Sequence, residues 1–250
     1  MKKNIILLAD FHDEYSLKSL SIIINSNIFN ILGIITLKRC KNKKPDNLKK
    51  YKIFYSGFPH KINKIKNFIK DKKIKLCIST GFPNKVRFSF LKLFEENVFN
   101  VHPSILPNQK GAHSTFYNIF QKQKYYGATL HLMNKKVDSG NIIDKLKKKK
   151  NILDNAEKVY HASRKLGCQL LKKNLNNIHN GKFMVKKNLK TKIFKKTDLK
   201  KFDYIDAKKR YSGEYIWNLI KATNFKNHGF YIKIGGKKIK IISKIKFNKT

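Results

Sequence analysis

Acidic residues are scarce in this chain: 15 Asp and Glu stand against 57 Lys and Arg in 250 residues, a formal net charge of +42. Arginine is scarce too, confined to Arg39, Arg87, Arg164 and Arg210, so the positive charge is almost wholly lysine. A surface selected to grip nucleic acid uses arginine freely, because its planar fork pairs bidentately with phosphates and guanine edges. A lysine excess spread from end to end, with abundant Asn and Ile, instead marks a compositional bias of the whole chain. Such a field draws anionic ligands of any kind and does not choose among them.

Other absences narrow the class. Cys40, Cys77 and Cys168 are odd in number and lack metal-ligand spacing, so they read as reduced thiols of a cytoplasmic protein, with no metal site. The first apolar run, Ile5 to Ala9, ends at Asp10, far short of a membrane span, and nothing reads as a signal peptide. No G-x-G-x-x-G follows a strand, so a dinucleotide site lacks its fingerprint. Ser104 has no nucleophile-elbow context and no cysteine has an obvious His partner, so covalent acyl transfer is not indicated.

What is present is a 41% hydrophobic chain, enough for a packed core. Short apolar runs alternate with amphipathic stretches, the pattern of a mostly parallel sheet with crossover helices. Strands are expected at 4–9, 31–36, 52–55, 75–79, 98–102 and 128–133, with helices at 16–24, 62–69, 84–94, 114–120 and 155–178. A further helix at 214–222 precedes a hairpin, 230–234 and 237–242, turning at Gly235-Gly236. The division expected is a catalytic domain over 1–183, a Lys-rich linker over 184–203 and a small C-terminal domain over 204–250.

The chemistry-bearing stretch is Asn100-Val-His-Pro-Ser-Ile-Leu-Pro107, followed by Gly111 and then Asp138-Ser-Gly140. Strand residues two apart share a face, so Asn100 and His102 project together at a strand's carboxyl end, which Pro103 terminates. Ligands of open α/β sheets bind at that end. Asp138 follows the strand 128–133, and if the two strands are neighbours all three side chains converge. An amide, an imidazole and a carboxylate suit acyl transfer to an amine: Asn and His stabilise the oxyanion, and the carboxylate or His accepts the amine's proton. His131 alternates within its strand without a visible partner and reads as structural.

Phe99-Asn-Val-His-Pro-Ser-Ile-Leu-Pro107 with Gly111, Gly127-Ala-Thr-Leu-His131 and Val137-Asp-Ser-Gly-Asn-Ile-Ile143 together resemble the folate-dependent formyltransferases. The resemblance implies a Rossmann-like sheet with helices on both faces and a small C-terminal helix and hairpin appendage. It implies 10-formyltetrahydrofolate as formyl donor and Asn100, His102 and Asp138 as catalytic residues. The donor would lie against Gly81, Phe82, Pro83, Asn84 and Lys85 and against Asn134, Lys135, Lys136 and Val137, largely through backbone groups. In the second loop Lys stands where the family often has Gly, which puts its turn in question.

The acceptor is less defined. Ala9-Asp-Phe-His12 lacks the Gly/Ser-rich turn of the ribonucleotide-acting members, and the C-terminal part is short for the β-barrel of the tRNA-acting ones. Gly111-Ala-His-Ser-Thr-Phe-Tyr117 looks more like the enzymes of nucleotide-linked amino sugars. The leading expectation is therefore a nucleotide-sugar amine, with methionyl-tRNA as the alternative. A non-catalytic ligand- or RNA-binding relative is the third reading. Ser104, Asn108 and Gly111 are candidate acceptor contacts. Trp217, Phe230 and Tyr231 either offer an aromatic face to a nucleotide or simply pack the appendage or a dimer interface. A homodimer is implied by resemblance alone, and no membrane association is expected.

Overall fold

In a computed structural model of the protein, residues 1–202, 204–225 and 229–242 are described. The strand β1 (Lys3–Ala9) is the centre of the fold, and Ile5 to Ala9 are wholly buried. The helix α1 (Glu14–Ser26), β2 (Phe29–Thr36), β3 (Ile53–Tyr55), α2 (Asn63–Asp71) and β4 (Leu76–Thr80) follow. Next come α3 (Phe88–Leu91), β5 (Val98–His102), β6 (Lys110–Gly111), α4 (Ser114–Phe120), β7 (Tyr125–Leu132), β8 (Ile142–Lys149) and the long α5 (Ala156–Asn180). The chain closes with β9 (Ile193–Phe194), β10 (Tyr204–Asp206), α6 (Gly213–Thr223), β11 (Phe230–Ile234) and β12 (Lys237–Ile241).

The main sheet has the order β3-β2-β1-β4-β5-β7-β8, parallel from β3 to β5, with β7 and β8 antiparallel. Its two faces are legible in β1. Ile5, Leu7 and Ala9 join one apolar cluster with residues of α1 and α5, while Ile6 and Leu8 join another with residues of α2 and α3. Each buried aliphatic side chain contributes roughly 1.5–3 kcal/mol. This α/β architecture, with helices on both faces and a small C-terminal sheet, is the one the sequence predicts.

Three details differ. The helix expected over 84–94 contracts to α3 and one 3-10 turn, Lys92–Phe94: Asn84 to Arg87 are not helical, Arg87 is extended, and Asn84 Nδ2 donates to the Gly57 carbonyl at 2.8 Å. The strand β8 was not expected, since four of its eight residues are Lys; it is an edge strand, where lysines discourage pairing with another chain. The Lys-rich stretch expected as a linker lies against the body: β9 pairs with β6, and Lys186 bridges to Ile142.

The appendage shares an apolar cluster with the main body, in which Phe194, Leu219, Ala222 and Phe230 meet Phe116, Tyr117 and Val159. Its sheet runs β10-β11-β12. Position 203 of the expected linker and positions 226–228 and 243–250 of the expected C-terminal domain lie outside the described residues. Among the described residues no helix is long and apolar enough to cross a membrane.

Candidate active site

The strands β5 and β7 are neighbours, and their register sets Asn100 opposite His131 and His102 opposite Thr129. Asn100 and His102 therefore emerge on one face beside the antiparallel partner. The turn after β7 returns Asp138 to them in a left-handed conformation (φ 50°), uncommon for a residue with a side chain. Its carboxylate lies between two imidazoles: Oδ2 is 3.8 Å from His102 Nδ1, and Oδ1 is 3.7 Å from His131 Nε2. Oδ2 also accepts the Gly111 N–H at 2.8 Å.

Gly111 has to be glycine. Its φ is 88°, and a Cβ there would stand 2.2 Å from the Phe194 carbonyl oxygen across the β6–β9 pair. The expected linker supplies a second support. Asn188 Nδ2 donates to the carbonyls of Asp138 and Gly140, both at 2.9 Å, which holds the turn that presents the carboxylate.

The histidines have distinct duties. His102 Nε2–H donates to the Gln109 carbonyl at 2.9 Å, which leaves Nδ1 facing Asp138. His131 Nδ1–H donates to the Leu132 carbonyl at 2.7 Å, so Nε2 is free to accept from Asn100 Nδ2–H at 3.1 Å. Burial pushes the His131 imidazole down to about 4 despite the opposing pull of Asp138, so it is neutral near pH 7. A neutral acceptor there fixes which end of the Asn100 amide faces it, and the second amide N–H is left for a ligand. The expectation that His131 lacks a partner is thus corrected. The signal was its place in the strand pairing, which spacing within one strand does not reveal.

A cavity of about 1210 Å³ opens over these groups, lined by Asn100, His102, His131 and Asp138. Gly81 to Lys85 line it on one side, and Asn134 to Val137, with Met133, on the other. The turn in the second loop forms without glycine: Asn134 Oδ1 accepts the Lys136 N–H at 2.9 Å, and neither Lys135 nor Lys136 takes positive φ. Tyr160, Arg164, Phe225 and Tyr231 also line the cavity. Arg164 lies over the Tyr160 ring and donates from Nη1 to both carboxylate oxygens of Asp13, at 2.6 and 2.9 Å.

Of the expected acceptor contacts, Gly111 lines the cavity while Ser104 and Asn108 do not. Ser104 is 3% exposed and its hydroxyl donates to the Gln109 carbonyl, so it braces the loop, and Asn108 is exposed outside the cavity. Of the aromatics, Tyr231 lines the cavity, Phe230 is buried in the core, and Trp217 packs under Lys221. Tyr160, which also lines the cavity, gave no sequence signal. Among the described residues, no group of three His, Cys, Asp or Glu is placed to hold a metal ion.

Residues 41–175 match the formyl transferase family. This chain belongs to that family. Among curated relatives, the methionyl-tRNA formyltransferase of Mycoplasmopsis pulmonis is 28% identical over 73% of this chain and 63% of its own length. The chain thus spans less than two thirds of that relative. Among solved structures, a 4-N formyltransferase from Francisella tularensis superposes with a TM-score of 0.82 at 20% identity, covering 98% of this chain and 99% of that one. An N-formyltransferase from Helicobacter canadensis, solved with folinic acid and dTDP-3-aminofucose, gives 0.72 at 24% identity, covering 96% and 86%. At these identities the superpositions establish the fold.

Proposed function

We propose that this chain transfers the formyl group of 10-formyltetrahydrofolate to a primary amine, and that the amine belongs to a nucleotide-linked amino sugar. The observation that carries the reading is the convergence of Asn100, His102 and Asp138 on one cavity, between the loops 81–85 and 134–137. Phe82, Val86 and Met133, which line the cavity beside those loops, support that stretch as the place for the donor's pterin.

In the reaction the amine nitrogen bonds to the formyl carbon and the carbon–N10 bond of the folate breaks. One proton leaves the amine and one reaches N10. The free N–H of Asn100 and an N–H of His102 stabilise the oxyanion as charge develops, and a preorganised donor is effective because it needs no reorientation. His102 Nε2 is committed to the Gln109 carbonyl, so Nδ1 is the nitrogen that holds or moves a proton. Asp138, with Oδ2 3.8 Å from Nδ1, accepts the amine's proton directly or through water.

The sugar acceptor is supported by superposition over 99% of both chains on a sugar N-formyltransferase from Shewanella and by the aromatic and lysine side chains in the cavity lining. A second reading, methionyl-tRNA as acceptor, draws on the sequence relatives and on exposed Lys147, Lys148 and Lys149 along β8. Incubation with 10-formyltetrahydrofolate and either nucleotide-linked amino sugars or initiator methionyl-tRNA separates them by release of tetrahydrofolate. Turnover with the sugars alone is expected. Turnover with tRNA alone would favour the second reading, and turnover with neither would remove both.

A further inference from the structure

Lys110 is 1% exposed, one of the largest wholly buried side chains of the protein, and it directly precedes Gly111, whose N–H reaches the Asp138 carboxylate. An ammonium removed from water is costly unless it is paired or hydrogen-bonded. Burial holds this one below the ordinary lysine range; the Asp138 carboxylate pulls in the opposite direction, and the charge of Lys136 adds to the effect of burial. An apolar side chain would fill the same space without that cost, so the ammonium calls for a role beyond packing.

Its Nζ donates to the Leu189 carbonyl at 2.7 Å. Leu189 follows Asn188, whose side-chain amide donates to the Asp138 and Gly140 carbonyls. A circuit therefore closes. Lys110 grips residue 189, Asn188 grips the Asp138 backbone, and the Asp138 carboxylate accepts from Gly111, the residue next to Lys110. The Leu189 side chain is 62% exposed, and Met184 and Val185 before it are exposed as well. Apolar burial thus does little to hold residues 184–189. Polar ties carry the attachment: Lys110, Asn188 and the backbone bridge from Lys186 to Ile142. The circuit encloses a residue in need of support, because Asp138 keeps a left-handed φ of 50°, a conformation that persists only where its surroundings impose it.

We propose that Lys110 is a positioning residue: by holding Leu189 it keeps Asn188 seated on the Asp138 turn, so that one closed circuit sets both the backbone and the carboxylate of Asp138. The inference rests on the function proposed above, in which Asp138 takes the amine's proton. A circuit has a property that separate ties lack. Opening it at one bond loosens the others, so the effects of breaking two bonds do not add.

The test uses Lys110→Met, Asn188→Ala and the double variant, with Lys190→Met as a control that removes the same charge from an exposed position on the same stretch. Lys110→Met is expected to lower kcat about tenfold, with KM for 10-formyltetrahydrofolate nearly unchanged, because the circuit acts at the reacting end of the cavity. The double variant should fall little below either single one, whereas independent ties would give about a hundredfold loss. A hundredfold loss, an unchanged kcat in Lys110→Met, or an equal fall in Lys190→Met would overturn the proposal.

Exchange of the Gly111 amide hydrogen, followed by NMR in the free protein, tests the circuit without any reaction. It should quicken about tenfold in Lys110→Met and in Asn188→Ala and stay unchanged in Lys190→Met. Unaltered exchange in Lys110→Met would overturn the proposal even if kcat falls. The expected exchange pattern in a protein that transfers no formyl group would count against the proposed function and still support the circuit.

Discussion

Two parts of the main cavity's lining are built differently. On the triad wall the functional atoms are held by neighbours. Asn100 is held by His131, His102 by the Gln109 carbonyl, Asp138 by the Gly111 N–H, and the Asp138 turn by Asn188. The rest of the lining includes Tyr231, Lys195, Lys196 and Lys240, all exposed, on the stretch expected as a linker and the small C-terminal sheet. The triad part is preorganised by the sheet, and these four side chains are exposed at its surface. That division suits a reaction whose chemistry is fixed and whose acceptor differs among relatives.

If the triad wall carries the chemistry, its disruption should cost most. Asn100→Ala, His102→Ala and Asp138→Ala are each expected to lower kcat by about 10²–10³, the usual effect of removing an oxyanion donor or a proton-transfer group. Circular dichroism should show a folded protein in each. Near-normal kcat in any of the three would detach that residue from the mechanism.

The next effect belongs to His131. Its imidazole titrates at about 4 in the fold against an ordinary value of 6.5. The unfolded chain therefore binds a proton between these values that the folded chain does not. Stability present above pH 6.5 is lost as the pH falls toward 4, on the order of 3 kcal/mol in all. His131→Gln should flatten this part of the profile of unfolding free energy in urea. Parallel profiles would show that the imidazole is not held neutral. Asn188→Ala follows, because it strips two carbonyls of their donor. A loss of about 2 kcal/mol, read as a fall in Tm, should accompany a drop in kcat of about tenfold as the Asp138 turn loosens. A lower Tm with unchanged kcat would mean that the stretch only ties the chain down.

The same contrast explains what the sequence could disclose. The strands β1, β4, β5 and β7 are apolar enough for their periodicity to reveal them; Asn100 and His102 lie on β5, and Asp138 in the turn after β7. The edge strand β8 was hidden because its lysines answer to solvent on an unpaired edge, a constraint opposite to that of a buried strand. The partnership of His131 with Asn100 depends on antiparallel register, and that of Asn188 with Asp138 bridges 50 residues. Neither leaves a local pattern. The strands β6 and β9 are two residues each, too short for any period, yet their close approach requires glycine at 111.

The smallest expected effect falls on the aromatic part of the lining and tests whether it selects the acceptor at all. Phe225 lines the cavity and lies 4.4 Å, centroid to centroid, from the Tyr160 ring, which also supports Arg164. An aromatic surface of this kind contributes about 0.5–1.5 kcal/mol to a stacked partner. Phe225→Ala should therefore raise KM for a nucleotide-linked amino sugar about threefold to tenfold, with kcat and folate affinity nearly unchanged. The ring also packs against Tyr160, so some fall in Tm is expected whatever its role. The decisive quantity is the ratio of the acceptor KM to the donor KM. A rise in that ratio makes this part of the lining a specificity surface, whereas equal changes in both leave Phe225 as packing and move acceptor recognition to the triad side.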